Sequence, residues 1–169
     1  MAVETLTGGG KLAAVLDDIS KKASGELSVG FMEGATYPDG ESVAVVAFKN
    51  EFGVPENHQP PRPFFRRMVA KESSSWPGKL SRQLKGTGYD GKRALALLGE
   101  DISGALRESI IELTHPPLAE KTIQLRLERS KAKPTEGMRN TEGVPIMGIE
   151  KPLIDSGHML NSVTYKVEG

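Results

Sequence analysis

The chain has 169 residues, enough for one domain with a modest core and an arm or long loop. Its 22 basic side chains balance 22 acidic ones, which argues against a free-standing nucleic-acid binder but leaves room for a local basic patch. With no cysteine there is neither a disulfide nor a thiolate zinc site, and 19 glycines with 11 prolines commit much of the chain to turns and loops.

Residues 1–10 read as a flexible lead ending in Gly8-Gly9-Gly10, without the basic end and apolar stretch of a signal peptide. From Lys11 to Lys22 the spacing of Leu12, Val15, Leu16 and Ile19 predicts an amphipathic helix, ended by Gly25. Residues 26–31 alternate, predicting a strand that buries Leu27, Val29 and Phe31. Tyr37 to Gly40 is a turn. Ser42 is placed to cap a helix over Val43–Phe52, with Val45, Phe48 and Phe52 at helical spacing and Gly53 at its end. The β-branched valines there keep a strand open as the alternative. Four prolines exclude helix from residues 54–63.

A helix is expected from Phe64 to about Ala70 or beyond, broken or kinked at Pro77-Gly78. Asp90 looks like the N-cap of the strongest element, residues 92–113, where Leu95, Leu98, Ile102, Leu106, Ile110 and Leu113 step along one face. Gly99 and Gly104 within it would let another backbone pack closely. Pro116-Pro117 stops that helix. Residues 116–150 are expected as an extended arm or loop, with a short charged helix over 118–130 and a mobile loop over 131–150. A final strand runs through Val163, Tyr165 and Val167. The predicted fold is α+β: a small antiparallel or mixed sheet with packed helices, forming a single domain over 11–169. No run of roughly 18 apolar residues is present to span a membrane.

Few residues suggest catalysis. His58, His115 and His158 lie among turn residues, without the spacing that sets two metal ligands on one helix face. Asp155-Ser156-Gly157-His158 holds the residue types of a hydrolytic triad, but neighbours in sequence rarely point at one another, and no Gly-x-Ser-x-Gly elbow exists. Gly8-Gly9-Gly10-Lys11 lacks the preceding strand and the spacing of a phosphate loop. The basic residues Lys121, Arg126, Arg129, Lys131, Lys133 and Arg139 read as a solvated helix and loop, or as a surface facing nucleic acid or an acidic neighbour. No enzyme activity, metal or cofactor is expected.

Two segments ask for more. In the first, Glu51-Phe52-Gly53 precedes a proline-rich loop and then Pro61-Arg62-Pro63-Phe64-Phe65-Arg66. The planar fork of Arg62 suits a carboxylate or backbone carbonyls, and Glu51 is the expected carboxylate. In the second, Asp155 or Ser156 is placed to cap a single helical turn, with Gly157 following, Leu160 packed inward and Ser162 leading into the last strand.

The order of four pieces resembles a family of tailed-bacteriophage neck proteins, variously called tail-completion, head–tail joining or minor tail structural proteins. The pieces are Asn50 to Gly53, Pro61 to Arg66, Pro117 to Arg126 with Thr122, and Lys151 to Tyr165. The resemblance spans roughly residues 28–167. The family's Arg-Pro-Phe step is intact, and Ser156 stands where that family often has threonine. The resemblance implies a structural virion component made in the host cytoplasm. It would form a homo-oligomeric, hexameric ring between head-closure or stopper proteins and the tail terminator or tail tube, with DNA passing through the lumen unread. A tail terminator capping the tube, or an assembly factor absent from the virion, are the alternative roles.

Overall fold

The computed structural model describes residues 9–132 and 150–169. The elements run α1 (Gly9–Lys22), β1 (Glu26–Phe31), α2 (Val43–Phe52), α3 (Phe64–Glu72), α4 (Trp76–Gly86), α5 (Gly91–Glu112), α6 (Glu120–Ala132), α7 (His158–Asn161) and β2 (Val163–Glu168). Short 3-10 turns at Pro55–Asn57 and Ser73–Ser75 complete the series. The α+β class is as expected, and the sheet is antiparallel.

That sheet has two strands. β1 pairs with β2 from Glu26 opposite Glu168 to Phe31 opposite Val163. The alternation read from the sequence sets one face of the ribbon against α5. Leu27, Val29 and Phe31 are half-buried and pack on the core, while Val163 is buried. Gly99 of α5 makes the approach possible. A Cβ there would lie 2.6 Å from the Tyr165 ring and 3.0 Å from Leu27. Gly104, by contrast, faces open space.

α5 is the spine. Its buried face carries Ala94, Leu98, Gly99, Ile102, Ser103, Leu106 and Ile110, with Leu113 buried just beyond its end. Asp90 caps it as the sequence suggests, its side chain accepting from the Arg93 N–H at 3.0 Å. Against this stripe pack Phe64 and Met68 of α3, Val43 and Ala47 of α2, and Leu153, Met159 and Val163 from the end of the chain. Phe31 and Phe64 meet edge to face, with centroids 6.3 Å apart.

Several local expectations change in the folded chain. α1 begins at Gly9, so the last two glycines of the expected lead lie within the helix, and residues 1–8 fall outside the described part. Pro77 opens α4 in its first turn instead of kinking α3, because a helix start has no use for the missing N–H. Ser42 holds the N-cap position of α2 in an extended conformation but makes no side-chain cap bond. Within the stretch expected as an arm, residues 120–132 form α6, in keeping with the charged helix read over 118–130. The loop expected over 131–150 lies almost wholly outside the described residues.

Leu106 is fully buried in the middle of the stripe and Ile102 nearly so. Leu106→Ala and Ile102→Ala should each cost about 2–5 kcal/mol, the usual range for truncating a packed aliphatic side chain. A thermal melt followed by circular dichroism should shift down by roughly 2–4 °C per kcal/mol for a chain of this size. An unchanged midpoint for both would mean this face is not the core.

Candidate functional site

The singled-out segments meet at one corner of the molecule, at the C-terminal end of α5. Glu51 ends α2 on its inner side and is only 5% exposed. Its carboxylate accepts from the backbone N–H groups of Phe65 (2.9 Å) and Arg66 (3.1 Å) in the first turn of α3, and from Arg66 Nε at 2.8 Å. An anionic acceptor there satisfies N–H groups that a helix start leaves unpaired, and it sits at the positive end of the helix dipole. Arg66 also donates through Nη2 to the Glu51 carbonyl oxygen at 3.2 Å. The loop between is folded back on α2: Arg62 N–H donates to Asn50 O at 2.7 Å, and Val54 and Gln59 form an isolated bridge. Gly53 turns this corner with φ 78°, and a Cβ on it would lie 2.8 Å from Gln59 O and from Pro61 N. A side chain at that position would meet backbone atoms, which cannot swing aside.

Glu51 is therefore the partner of Arg66 and not of Arg62, as the sequence had led one to expect. The Arg62 side chain is buried and its fork closes on two carbonyls, Nε to Pro116 O at 3.2 Å and Nη2 to Pro117 O at 3.3 Å. Burial pushes its pKa below the ordinary value, and the nearby Arg126 charge adds to the effect. Phe64 beside it is buried in the core, while Phe65 is half-buried against the sheet near Gly30. The two adjacent phenylalanines thus serve different surfaces.

Arg126 makes the third link. Alone among the six basic residues from 121 to 139, it has a described side chain directed inward. Nη1 donates to Lys151 O and Ile154 O, both at 2.9 Å, and Nε lies 3.4 Å from the Asp155 carboxylate. Lys121 is exposed, only the backbone is described at Arg129 and Lys131, and Lys133 and Arg139 fall outside the described residues. The single turn α7 forms, but its N-cap position is held by Gly157, in the left-handed region (φ 75°) and without a side-chain cap bond, and not by Asp155 or Ser156 as the sequence suggested. Ser156 Oγ accepts from His158 N–H at 3.3 Å, and Ser162 Oγ donates to His158 O at 2.8 Å. Met159 is the fully buried residue of this turn, whereas Leu160 is only partly covered by the core.

An open groove of about 410 Å³ runs between this turn and α2, lined among others by Tyr37, Asp39, Glu41, Arg126, Asp155 and His158. Burial raises the Tyr37 hydroxyl pKa, and the Glu41, Asp155 and Asp39 carboxylates add to it. His158 stacks on Tyr37 at 4.8 Å between centroids, and its Nε2 lies 2.8 Å from Thr36 O. Asp155, Ser156 and His158 thus each have a structural partner: Arg126, the α7 backbone, and Thr36 with Tyr37. Among the described residues no group of three or more His, Asp or Glu is arranged to hold a metal ion.

Beside the corner lies a surface that residue periodicity alone did not reveal. Val43, Ala47 and Glu51 are the buried side of α2, so Val45, Phe48 and Phe52 point outward. Phe48 and Phe52 touch, 4.6 Å between centroids, and the Arg66 guanidinium sits 4.8 Å over the Phe52 ring. Lys49 and Glu41 pair at the rim. Among the described residues, no helix is long and apolar enough to cross a membrane. Compared with known proteins, the chain matches no family model, no curated protein and no solved structure.

Lysine cannot reproduce the fork that joins Arg62 to two carbonyls, so Arg62→Lys should lose at least one charge-assisted bond, about 1.5–3 kcal/mol. Glu51→Ala should cost a similar amount, because the N–H groups of Phe65 and Arg66 lose their acceptor. Urea denaturation of the purified variants measures both, and a wild-type midpoint for Arg62→Lys would mean that the clamp contributes nothing.

Proposed function

We propose that this chain is a structural subunit of the head–tail junction of a tailed bacteriophage. It would work as one member of a ring between the head-closing proteins and the tail, in the virion and without catalysis. One observation carries the reading. The four segments that carry the resemblance are joined to one another in series. Glu51 ties the first to the second through the start of α3. Arg62 ties the second to the third through Pro117 O. Arg126 ties the third to the fourth through Lys151 O and Ile154 O. Residues doing this fix the relative position of distant parts of the chain, which is what a part with a mechanical role requires.

The exposed aromatic face beside that corner, where Phe48 and Phe52 are in contact, is compatible with the same reading, because contiguous exposed apolar patches often serve as interaction sites. A near-neutral net charge is compatible with a lumen that lets DNA slide without holding it.

The direct test is a phage with this gene deleted. Electron micrographs should show full heads and complete tails unattached to one another, and quantitative mass spectrometry should find the protein in fixed copy number in purified wild-type particles. Joined, infectious particles from the deletion would reject the role. A protein required for assembly but absent from purified particles would make it an assembly factor instead.

A further inference from the structure

The 22 basic residues of this chain are unevenly placed. Between Arg62 and Arg93 nine of them stand against two acidic residues, so this stretch carries a formal charge of +7 and the rest of the chain −7. Both acids are engaged: Glu72 lies 3.9 Å from Lys79, and Asp90 caps α5. Arg62 is buried on its two carbonyls, and Arg66 is paired with Glu51. Six exposed cations are left, Arg67, Lys71, Arg82, Lys85, Lys92 and Arg93. None of them makes a side-chain hydrogen bond or ion pair among the described residues.

Four of the six gather around the turn between α4 and α5. Arg82 and Lys85 are on the side of α4 away from Trp76 and Leu80, which pack on the core. Lys92 and Arg93 stand in the first turn of α5, where the positive end of that helix's dipole adds to their field. The capping Asp90 is the only acid from 82 to 93. Arg67 and Lys71 differ, because they share a small pocket with Glu108 and Glu112. The end of α1 also lies here, with Lys22 O 2.6 Å from where a Cβ on Gly91 would stand. Its Lys21 and Lys22 are matched by Asp17 and Asp18 and add no net charge.

We propose that this cationic end of the molecule, with Arg82, Lys85, Lys92 and Arg93, binds the phosphate backbone of double-stranded DNA without reading its sequence. The inference rests on the reading of this chain as a ring subunit that DNA passes, and it names the part of the subunit that meets the DNA. Charge complementarity selects the partner. A duplex offers a negative charge about every 1.7 Å along its axis, so several separate cations can be met at once. A protein partner would call for an apolar centre inside a charged rim. Among the described residues from 62 to 97, the only large apolar side chains exposed are Tyr89 (42%) and Leu97 (41%). A lipid surface would likewise need an apolar helix face. One exposed aromatic is too few to stack successive bases, which favours duplex over single-stranded DNA. The −7 on the rest of the chain weakens the hold, which suits DNA that must move past.

The test is fluorescence anisotropy of a labelled duplex of about 30 base pairs with the full-length protein, at salt concentrations from roughly 50 to 200 mM. Wild type should bind at low salt, lose roughly 100-fold in affinity across that range for four neutralised phosphates, and bind an unrelated duplex within twofold. Arg82→Gln with Lys85→Gln, and Lys92→Gln with Arg93→Gln, alter exposed positions whose folding circular dichroism checks. Each pair should weaken binding at least fivefold and lower the slope of log affinity against log salt by about two. Lys11→Gln with Lys121→Gln removes two exposed charges elsewhere and should change affinity less than twofold. No binding by wild type at low salt, an unchanged slope in both double variants, an equal loss in the control, or a strong preference for one sequence overturns the proposal. Poly-aspartate competing as well, charge for charge, as unlabelled duplex would overturn it in favour of an acidic protein partner. Tighter binding to vesicles of phosphatidylcholine and phosphatidylserine would overturn it in favour of a membrane. The neck reading survives all of these results, because it stands or falls on the composition of particles. DNA binding by a protein absent from particles would keep the surface and reject that role.

Discussion

A two-stranded ribbon has no independent stability in water, so β1 and β2 hold their register because α5 covers one face of them. That covering depends on Gly99, where the Tyr165 ring comes nearer to the helix backbone than a Cβ would allow and Leu27 would be tight against one. Arg107 then anchors the start of β2 by donating to Val163 O at 2.6 Å. The strands are the second and the last elements of the described chain, so this one contact brings its two ends together. α3, α2 and the α7 turn fill the rest of the α5 stripe.

Where the apolar core is small, arginine guanidinium groups carry much of the long-range connection. Arg62 reaches across 54 residues of sequence to Pro116, and Arg126 across 25 to Lys151. Each closes on backbone carbonyls in proline-containing segments, which have few N–H groups of their own with which to make regular structure. A guanidinium presents several donors in a fixed plane, so one side chain sets both the position and the orientation of the segment it grips. Lys151 adds a bond of the same kind, from its ammonium to Ile111 O at 2.6 Å. The proposed mechanical role draws on this arrangement, since a segment held by its backbone keeps its place whatever side chains it presents.

The orientation of α2 follows from the same economy of core. Its inner side carries Val43, Ala47 and Glu51, two small apolar residues and a carboxylate already spoken for by α3. Successive helix residues stand about 100° apart, from 3.6 residues per turn. Turning Glu51 inward to meet the α3 N–H groups therefore turns Phe52, and Phe48 with it, toward solvent. An aromatic face is left outside because a buried polar bond needed the inside.

Much of this was legible along the chain. The stripe of α5, its Asp90 cap and the alternation of both strands are local patterns, and a period of 3.6 or 2 identifies them without a partner. The resemblance singled out Glu51, Arg62, Arg126 and the 151–165 segment as belonging together. Their partners were another matter. An arginine fork fits a carboxylate and a pair of carbonyls equally well, and the carbonyls that Arg62 takes lie more than fifty residues away, where no local signal points to them. Glu51, the near carboxylate, was claimed by N–H groups that exist only once α3 has formed. The inward side of α2 was hidden for the same reason: periodicity says which residues share a face, but which face is buried depends on what the neighbouring helix has to offer it.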